Sequence, residues 1–184
     1  VIGIDEVGRG AWAGPLLVVA ARQTSELPHA VRDSKRTTRK QREVLIPDIK
    51  LSCDLGEGWV SAEEIDALGL TAAMQLAVSR ALDAIQAIAD EAIIMDGHIN
   101  YCDAGFVNAQ AVVDADATYP IVSAASVYAK VVRDNHMADL ATQFPGYGFE
   151  KHVGYGTRQH KEAIAQLGIT PQHRKSYKPI RTFL

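Results

Sequence analysis

Hydrophobic residues along this chain fall into short runs with two periods. Residues 1–7 alternate and are rich in β-branched side chains, which predicts a strand ending at Gly8-Arg9-Gly10. After Gly14-Pro15, the apolar run 16–21 reads as a second, largely buried strand. Residues 38–46 are polar and helix-permissive, and Pro47 is expected to end or bend that helix. Residues 51–60 read as a third strand. Ser61 with Glu64 forms a capping-box pattern that opens a helix, with Gly69 as an interruption. Beyond it, Met74, Ala77, Val78, Ala81, Leu82, Ile85 and Ile88 recur at helical spacing and predict one buried face. Residues 92–95 form a short apolar strand closed by Asp96-Gly97, and 106–113 predict another ending near Asp114-Ala115-Asp116. A long helix over 121–141 halts at Phe144-Pro145-Gly146, and a last helix over 157–167 precedes a basic tail. Hairpin-like strands first, then strands alternating with helices, predict a mixed α/β sheet in one compact unit.

The 184 residues, 47% hydrophobic and 22% charged, suffice for one domain with a real core. This composition excludes disordered, collagen-like and disulfide-scaffold classes. No run approaches the roughly 20 apolar residues of a membrane span, and the start lacks a basic-then-apolar signal peptide. Val1 rather than Met leaves room for a few leading residues. Cys53 and Cys102 stand far apart without a C-x-x-C pair, which disfavours a disulfide or zinc site and makes a reducing cytoplasm the default. The net charge of -3 argues at first against a nucleic-acid partner. By segment the picture changes. Residues 1–50 hold nine Lys/Arg against six Asp/Glu, 51–149 three against fourteen, and 150–184 seven against two. Two basic ends flank an acidic middle, so local potential permits a polyanion partner despite the total.

Several acids stand at predicted strand ends. Asp5 and Glu6 close the first strand, Asp96 ends another, and Asp116 or Asp114 follows the next. Gathered on one sheet edge, such carboxylates repel and raise each other's pKa, a cost that a hard divalent cation relieves. An all-oxygen set suits Mg²⁺ or Mn²⁺. Each acid alone is more often a turn cap. Successive strand residues also point to opposite faces, so Asp5 and Glu6 share a site only at a bulge, a strand end or through a backbone contact. Gly8-x-Gly10-x-x-Ala13 matches a loose dinucleotide fingerprint, but an apolar strand rather than a helix follows, and two acids upstream would repel pyrophosphate. That reading is rejected. A Gly-Arg-Gly loop beside a metal site could instead bring backbone N–H groups and a guanidinium to a nucleic-acid backbone.

At Gly3-Ile4-Asp5-Glu6-Val7-Gly8-Arg9-Gly10 the sequence resembles ribonuclease HII, the type 2 ribonuclease H family. The resemblance continues through Gly14-Pro15, Asp33-Ser34-Lys35, Met95-Asp96-Gly97, residues 123–134, His152-Val153-Gly154-Tyr155-Gly156-Thr157 and His173-Arg174-Lys175-Ser176-Tyr177. It implies a ribonuclease H-like mixed β-sheet flanked by helices, with 145–184 as a basic helical or tail extension of a single catalytic domain. It implies an endoribonuclease that cuts 5′ of a ribonucleotide, in RNA–DNA hybrids or duplex DNA with embedded ribonucleotides, leaving 3′-hydroxyl and 5′-phosphate ends. A two-metal-ion mechanism with Mg²⁺ or Mn²⁺ is expected, in a cytoplasmic monomer without a membrane partner. Asp5, Glu6, Asp96 and Asp116 would be the metal-binding acids. Gly8, Arg9 and Gly10 would sense the ribose 2′-hydroxyl, Tyr155 would stack at the junction, and Lys35 would hold phosphate. Lys35, Arg36, Arg39, Lys40 and Arg42 would form one basic cluster, and the C-terminal tail another.

One departure stands out. The family commonly has a basic residue and then Gly or Ala before its fourth acid, where this chain reads Asp114-Ala115-Asp116. Alignment through Tyr119-Pro120 favours Asp116. The sister family, ribonuclease HIII, resembles this pattern without Arg9 and carries an extra N-terminal domain, for which 184 residues leave no room. Ser123 and Ser126 could assist a phosphate or simply pack their helix. His98 is expected in a loop, His152 and His160 in packing or at the surface, and Trp12 either under the glycine loop or on nucleic acid.

Overall fold

A computed structural model describes residues 1–31 and 38–184. Five strands form one sheet in the order β3-β2-β1-β4-β5. β1 (Ile2–Val7), β2 (Leu16–Gln23) and β3 (Cys53–Val60) make an antiparallel meander, while β4 (Ile93–Asp96) and β5 (Ala109–Val112) add in parallel beyond β1. The expected mixed sheet is therefore present, flanked by helices. β2 shows why its apolar run needed no alternation. Leu16, Val18 and Ala20 enter the core that holds α3 (Leu70–Ala84), while Leu17, Val19 and Ala21 enter the core under α5 (Pro120–Gln143). A central strand covered on both faces is apolar on both.

The capping box at Ser61 opens α2 (Ala62–Leu68), and Gly69, with a positive φ, separates it from α3. Thr38 and Gln41, at the same capping-box spacing, make a second box for α1 (Arg39–Ser52). That helix runs on through Pro47, so of the two expected effects of the proline, an end or a bend, it is not the end that occurs. Pro47 lies on the exposed side, whereas Leu45 and Ile49, four positions apart, are buried on the other. Their burial stabilises the turn that the proline weakens. The third strand accordingly begins at Cys53 rather than residue 51, and the fifth is shorter than expected. Ile88 leaves the predicted helical face: α3 ends at Ala84 and Ile88 is exposed.

α4 (Ala115–Thr118) leads into α5, which runs for 24 residues. Beyond it, α6 (Phe149–His152), α7 (Arg158–Leu167) and α8 (Lys178–Arg181) form the helical C-terminal part. Met137, Leu140, Tyr147, Phe149, Ile164 and Ile180 are buried together there, and Ala13 of the glycine loop joins them. Among the described residues no helix is long and apolar enough to cross a membrane. Cys53 and Cys102 are free thiols, each pushed up to about 11 by burial.

Candidate active site

Asp5 and Glu6 stand at a strand end, one of the conditions under which they could share a site. Pairing of β1 with β4 stops at Ile4 and Met95, while pairing with β2 continues to Val7 and Leu17. Asp5 and Glu6 thus lie beyond the last β4 partner. The Asp5 carboxylate turns back to accept the Glu6 N–H at 2.8 Å. Asp96 closes the parallel neighbour β4, and its Oδ1 accepts the Ala115 N–H at 2.6 Å. This bond ties the end of β4 to the start of α4, whose first turn carries Asp116. Glu6 and Asp116 line one cleft of about 260 Å³ together with Val7, Arg42, Ser126, Val127 and Lys130. Asp114, the alternative fourth acid, is exposed at the N-cap of α4 in a left-handed conformation that Asp tolerates.

Electrostatics join three of these acids. Burial raises Asp5 to about 7; the charges of Glu6 and Asp96 push the same way, against the Ser126 hydroxyl and the Glu6 N–H. Glu6 is raised by burial, with Asp96 adding to it and the Arg9 guanidinium opposing. Among the described residues no three His, Cys, Asp or Glu side chains form a group that would hold a metal ion as they stand. The donor chemistry nevertheless fits a hard divalent cation. The set is all carboxylate oxygen, Asp5 is buried, and like charges hold its acidity down, which are costs that a cation offsets.

The glycine loop adjoins these acids. Arg9 stands between them and the sheet's far side: its guanidinium lies 3.7 Å from Glu6 and donates to the Tyr101 hydroxyl at 3.1 Å. Gly8 has φ +83, and a Cβ there would meet the Arg133 Nε at 2.1 Å, so the position demands glycine on both counts. Gly10 is the opposite case. It is exposed, has no positive φ, and a Cβ would meet nothing within 4 Å. The Gly8 N–H donates to the Tyr155 hydroxyl at 3.2 Å, which brings Tyr155 to the loop from the C-terminal part. Lys35 and Arg36 lie outside the described residues.

Sequence reasoning missed how α5 serves this region. Ser126, Lys130 and Arg133, at i, i+4 and i+7, run down one side of the helix. Ser126 lowers the Asp5 pKa against its burial, Lys130 lines the cleft and pairs with Asp134 at 2.7 Å, and Arg133 reaches the glycine loop. That polar stripe on a helix otherwise rich in Ala and Val was the available signal. Tyr101 had none, because a tyrosine in a loop carries no local pattern. Trp12 packs under the loop, 5.7 Å from His160 and against Gly156. His152, His160 and His173 are all buried in one cluster.

The Ribonuclease HII family model matches residues 2–180. The chain belongs to the ribonuclease HII family. Ribonuclease HII of Cereibacter sphaeroides strain KD131 is 42% identical over 185 residues, covering 100% of this chain and 86% of that protein. The ribonuclease HII solved in complex with PCNA from Archaeoglobus fulgidus superposes with a TM-score of 0.81 at 26% identity, covering 99% of this chain and 95% of that one. Bst-RNase HIII, solved in complex with Mn²⁺, shares the fold with a TM-score of 0.72 at 20% identity, covering 98% of this chain and 67% of that one. Ribonucleases HII are metal-dependent endoribonucleases of the ribonuclease H class, so this chain is a nuclease of that kind acting on RNA–DNA hybrids.

Proposed function

We propose that the cleft at the ends of β1 and β4 hydrolyses the phosphodiester 5′ of a ribonucleotide, in RNA–DNA hybrids or in duplex DNA with embedded ribonucleotides. The observation that carries this reading is that Asp5, buried and repelled by Glu6 and Asp96, stands beside the glycine loop, whose Arg9 lies 3.7 Å from Glu6 and whose exposed Gly10 the fold itself does not require. A glycine with open space at its Cβ allows close approach of a ligand to the backbone.

Asp5, Glu6, Asp96 and Asp116 would hold Mg²⁺ or Mn²⁺, and two such ions supply activation of water and stabilisation of the leaving 3′-oxygen, leaving 3′-hydroxyl and 5′-phosphate ends. The protein's own groups do the rest. Ser126 and the Glu6 N–H hold the Asp5 carboxylate in one orientation. Arg42 and Lys130 line the cleft and attract backbone phosphate. Arg9 and Gly10 face the ribose 2′-hydroxyl, the group that distinguishes RNA from DNA. Tyr155, held at its hydroxyl by Gly8, presents a partly exposed ring on which a base or sugar stacks. Lys35 adds a phosphate contact, and the basic segment 145–184 serves as an arm along the duplex. The enzyme works as a monomer in the cytoplasm, in ribonucleotide excision.

Incision of a duplex containing one ribonucleotide, with Mg²⁺ or Mn²⁺ and beside an all-DNA control, tests the reading. Cutting is expected at the ribonucleotide and not in the control. Equal cutting of both, or full activity in Asp5→Asn, would sink it. Metal-free binding of hybrid without turnover would establish a binding module instead.

A further inference from the structure

Two of the largest fully buried side chains in the molecule are arginines, Arg133 and Arg174. Neither makes an ion pair among the described residues; both spend their donors on backbone carbonyls and one tyrosine hydroxyl. Arg133 donates from Nε to Pro15 O at 2.9 Å, from Nη1 to Val153 O at 2.8 Å, and from Nη2 to Ala13 O at 3.4 Å. Arg174 donates from Nε and Nη2 to Gly14 O at 3.1 and 2.9 Å, and from Nη1 to Arg9 O and the Tyr177 hydroxyl, both at 2.9 Å. The Tyr177 hydroxyl in turn donates to Arg9 O. Every backbone target lies either between β1 and β2 or just before Tyr155.

The arrangement is more specific than core filling requires. A buried, unpaired guanidinium costs free energy that an apolar side chain would not, and burial pulls Arg133 down to about 10. A rigid fork of five donors, in return, fixes several carbonyls at set mutual positions, which apolar packing cannot do. Arg9, Ala13, Gly14 and Pro15 turn their carbonyls inward onto the two arginines, while the side of the loop at Arg9 and Gly10 stays exposed. Val153 is a β-branched residue with φ +46, a conformation such residues rarely adopt, and Arg133 grips its carbonyl. That turn sets where Tyr155 begins, and the Tyr155 ring lies 5.8 Å from the Arg133 guanidinium.

We propose that Arg133 and Arg174 are positioning residues for ribonucleotide selection, clamping the Gly8–Pro15 loop and the Val153 turn so that Gly10 and Tyr155 meet the substrate in one preset arrangement. The inference rests on the reading that this loop and Tyr155 contact the ribonucleotide. Arg174→Lys keeps a charge but loses the fork, and Tyr177→Phe removes only the hydroxyl between Arg174 and Arg9, which makes it the variant that folds normally. Four quantities are to be measured on each: the melting temperature, kcat and KM on the single-ribonucleotide duplex against all-DNA, and amide hydrogen exchange across residues 8–15. The expected result is a fall in kcat of about 100-fold for Arg174→Lys and about tenfold for Tyr177→Phe, with KM changed less, since misplacement by about 1 Å has that scale of effect. Selectivity for the ribonucleotide narrows in parallel, and exchange accelerates in the loop but not in β1 or β2. Folded variants with wild-type kcat, selectivity and loop exchange would overturn the proposal, and so would losses that merely track the melting temperature. If the wild-type chain shows no preference for the ribonucleotide, the underlying reading fails, while loop exchange still decides whether the clamp exists.

Discussion

The two sides of the candidate site are built on opposite principles. At the strand ends, burial raises the pKa of Asp5 and of Glu6, the charges of Glu6 and Asp96 push Asp5 further up, and Asp96 does the same to Glu6. Across the glycine loop, Arg133 of α5 and Arg174 and the histidines of the C-terminal part are buried too, yet their donors and acceptors find partners. Thr170 N–H donates to His173 Nδ1 at 2.9 Å, the two imidazoles of His173 and His160 share one proton across 3.1 Å, and His160 Nδ1 reaches Tyr155 O at 3.0 Å. With His160 Nδ1 donating, its Nε2 accepts from His173, and every ring is neutral. One side holds like charges together, and the other ties its groups down with hydrogen bonds.

The sharpest way to break this contrast is Asp5→Asn. Activity is expected to fall by about 10³-fold or more, the scale of losing one group that stabilises transition-state charge. Stability should rise, because a neutral amide is cheaper to bury than a carboxylate; about 1 kcal/mol would appear as about 2–4 °C in Tm. Thermal melts and a single-turnover assay read both. An Asn variant that melts lower would show that the acids support the fold rather than strain it.

Two glycines separate the sides next. Gly8→Ala should cost about 2–4 kcal/mol, from the clash with Arg133 and the left-handed backbone together. Gly10→Ala should leave stability within about 0.5 kcal/mol. Incision in Gly10→Ala should nevertheless fall by about tenfold or more, since the substrate would lose its close approach. Denaturant titration beside the incision assay distinguishes them; a Gly10→Ala enzyme with wild-type turnover would remove Gly10 from the site.

The histidine cluster predicts a pH dependence. Burial pulls His160 and His173 down to about 4, below the ordinary 6.5. The unfolded chain therefore takes up protons first as pH falls. The stability held by the neutral rings is complete above about 6.5 and is lost progressively toward 4, on the order of 2 kcal/mol for each ring by about pH 5. Melts across that window should fall together with protection of the Tyr155 segment; a flat profile would mean that the rings titrate in the folded chain as they do in the unfolded one. The smallest effect is expected outside both sides. Arg80 bonds Glu64 at 2.7 Å on the surface, and Glu64→Gln should cost no more than about 1 kcal/mol with incision unchanged.

Legibility followed sequence distance. The Ser61 box, the apolar run of β2 and the start of the long helix at Pro120 depend on residues a few positions apart, and all were readable. Asp5, Glu6 and Asp96 were readable as strand-end acids because strands and their turns leave local signals. Pro47 does not end its helix, because burial of Leu45 and Ile49 in the core outweighs a local helix breaker. Arg133 and Arg174 carried no local sign of the loop they hold, whose partners lie 118 and 160 residues away. Tyr101 meets Arg9 across 92 residues and was equally invisible.

By itself, then, the sequence determined the strands and helices, the acids at the strand ends and the resemblance to ribonuclease HII, since periodicity, capping and motif order are properties of neighbours in the chain. The tertiary structure decided what meets what. Parallel pairing of β1 with β4 puts Asp5 beside Asp96, and closure of the C-terminal part onto the glycine loop buries two guanidiniums against carbonyls that are remote in sequence. Both outcomes depend on which apolar faces find each other, and that choice is made by burial summed over the whole chain rather than by any local pattern.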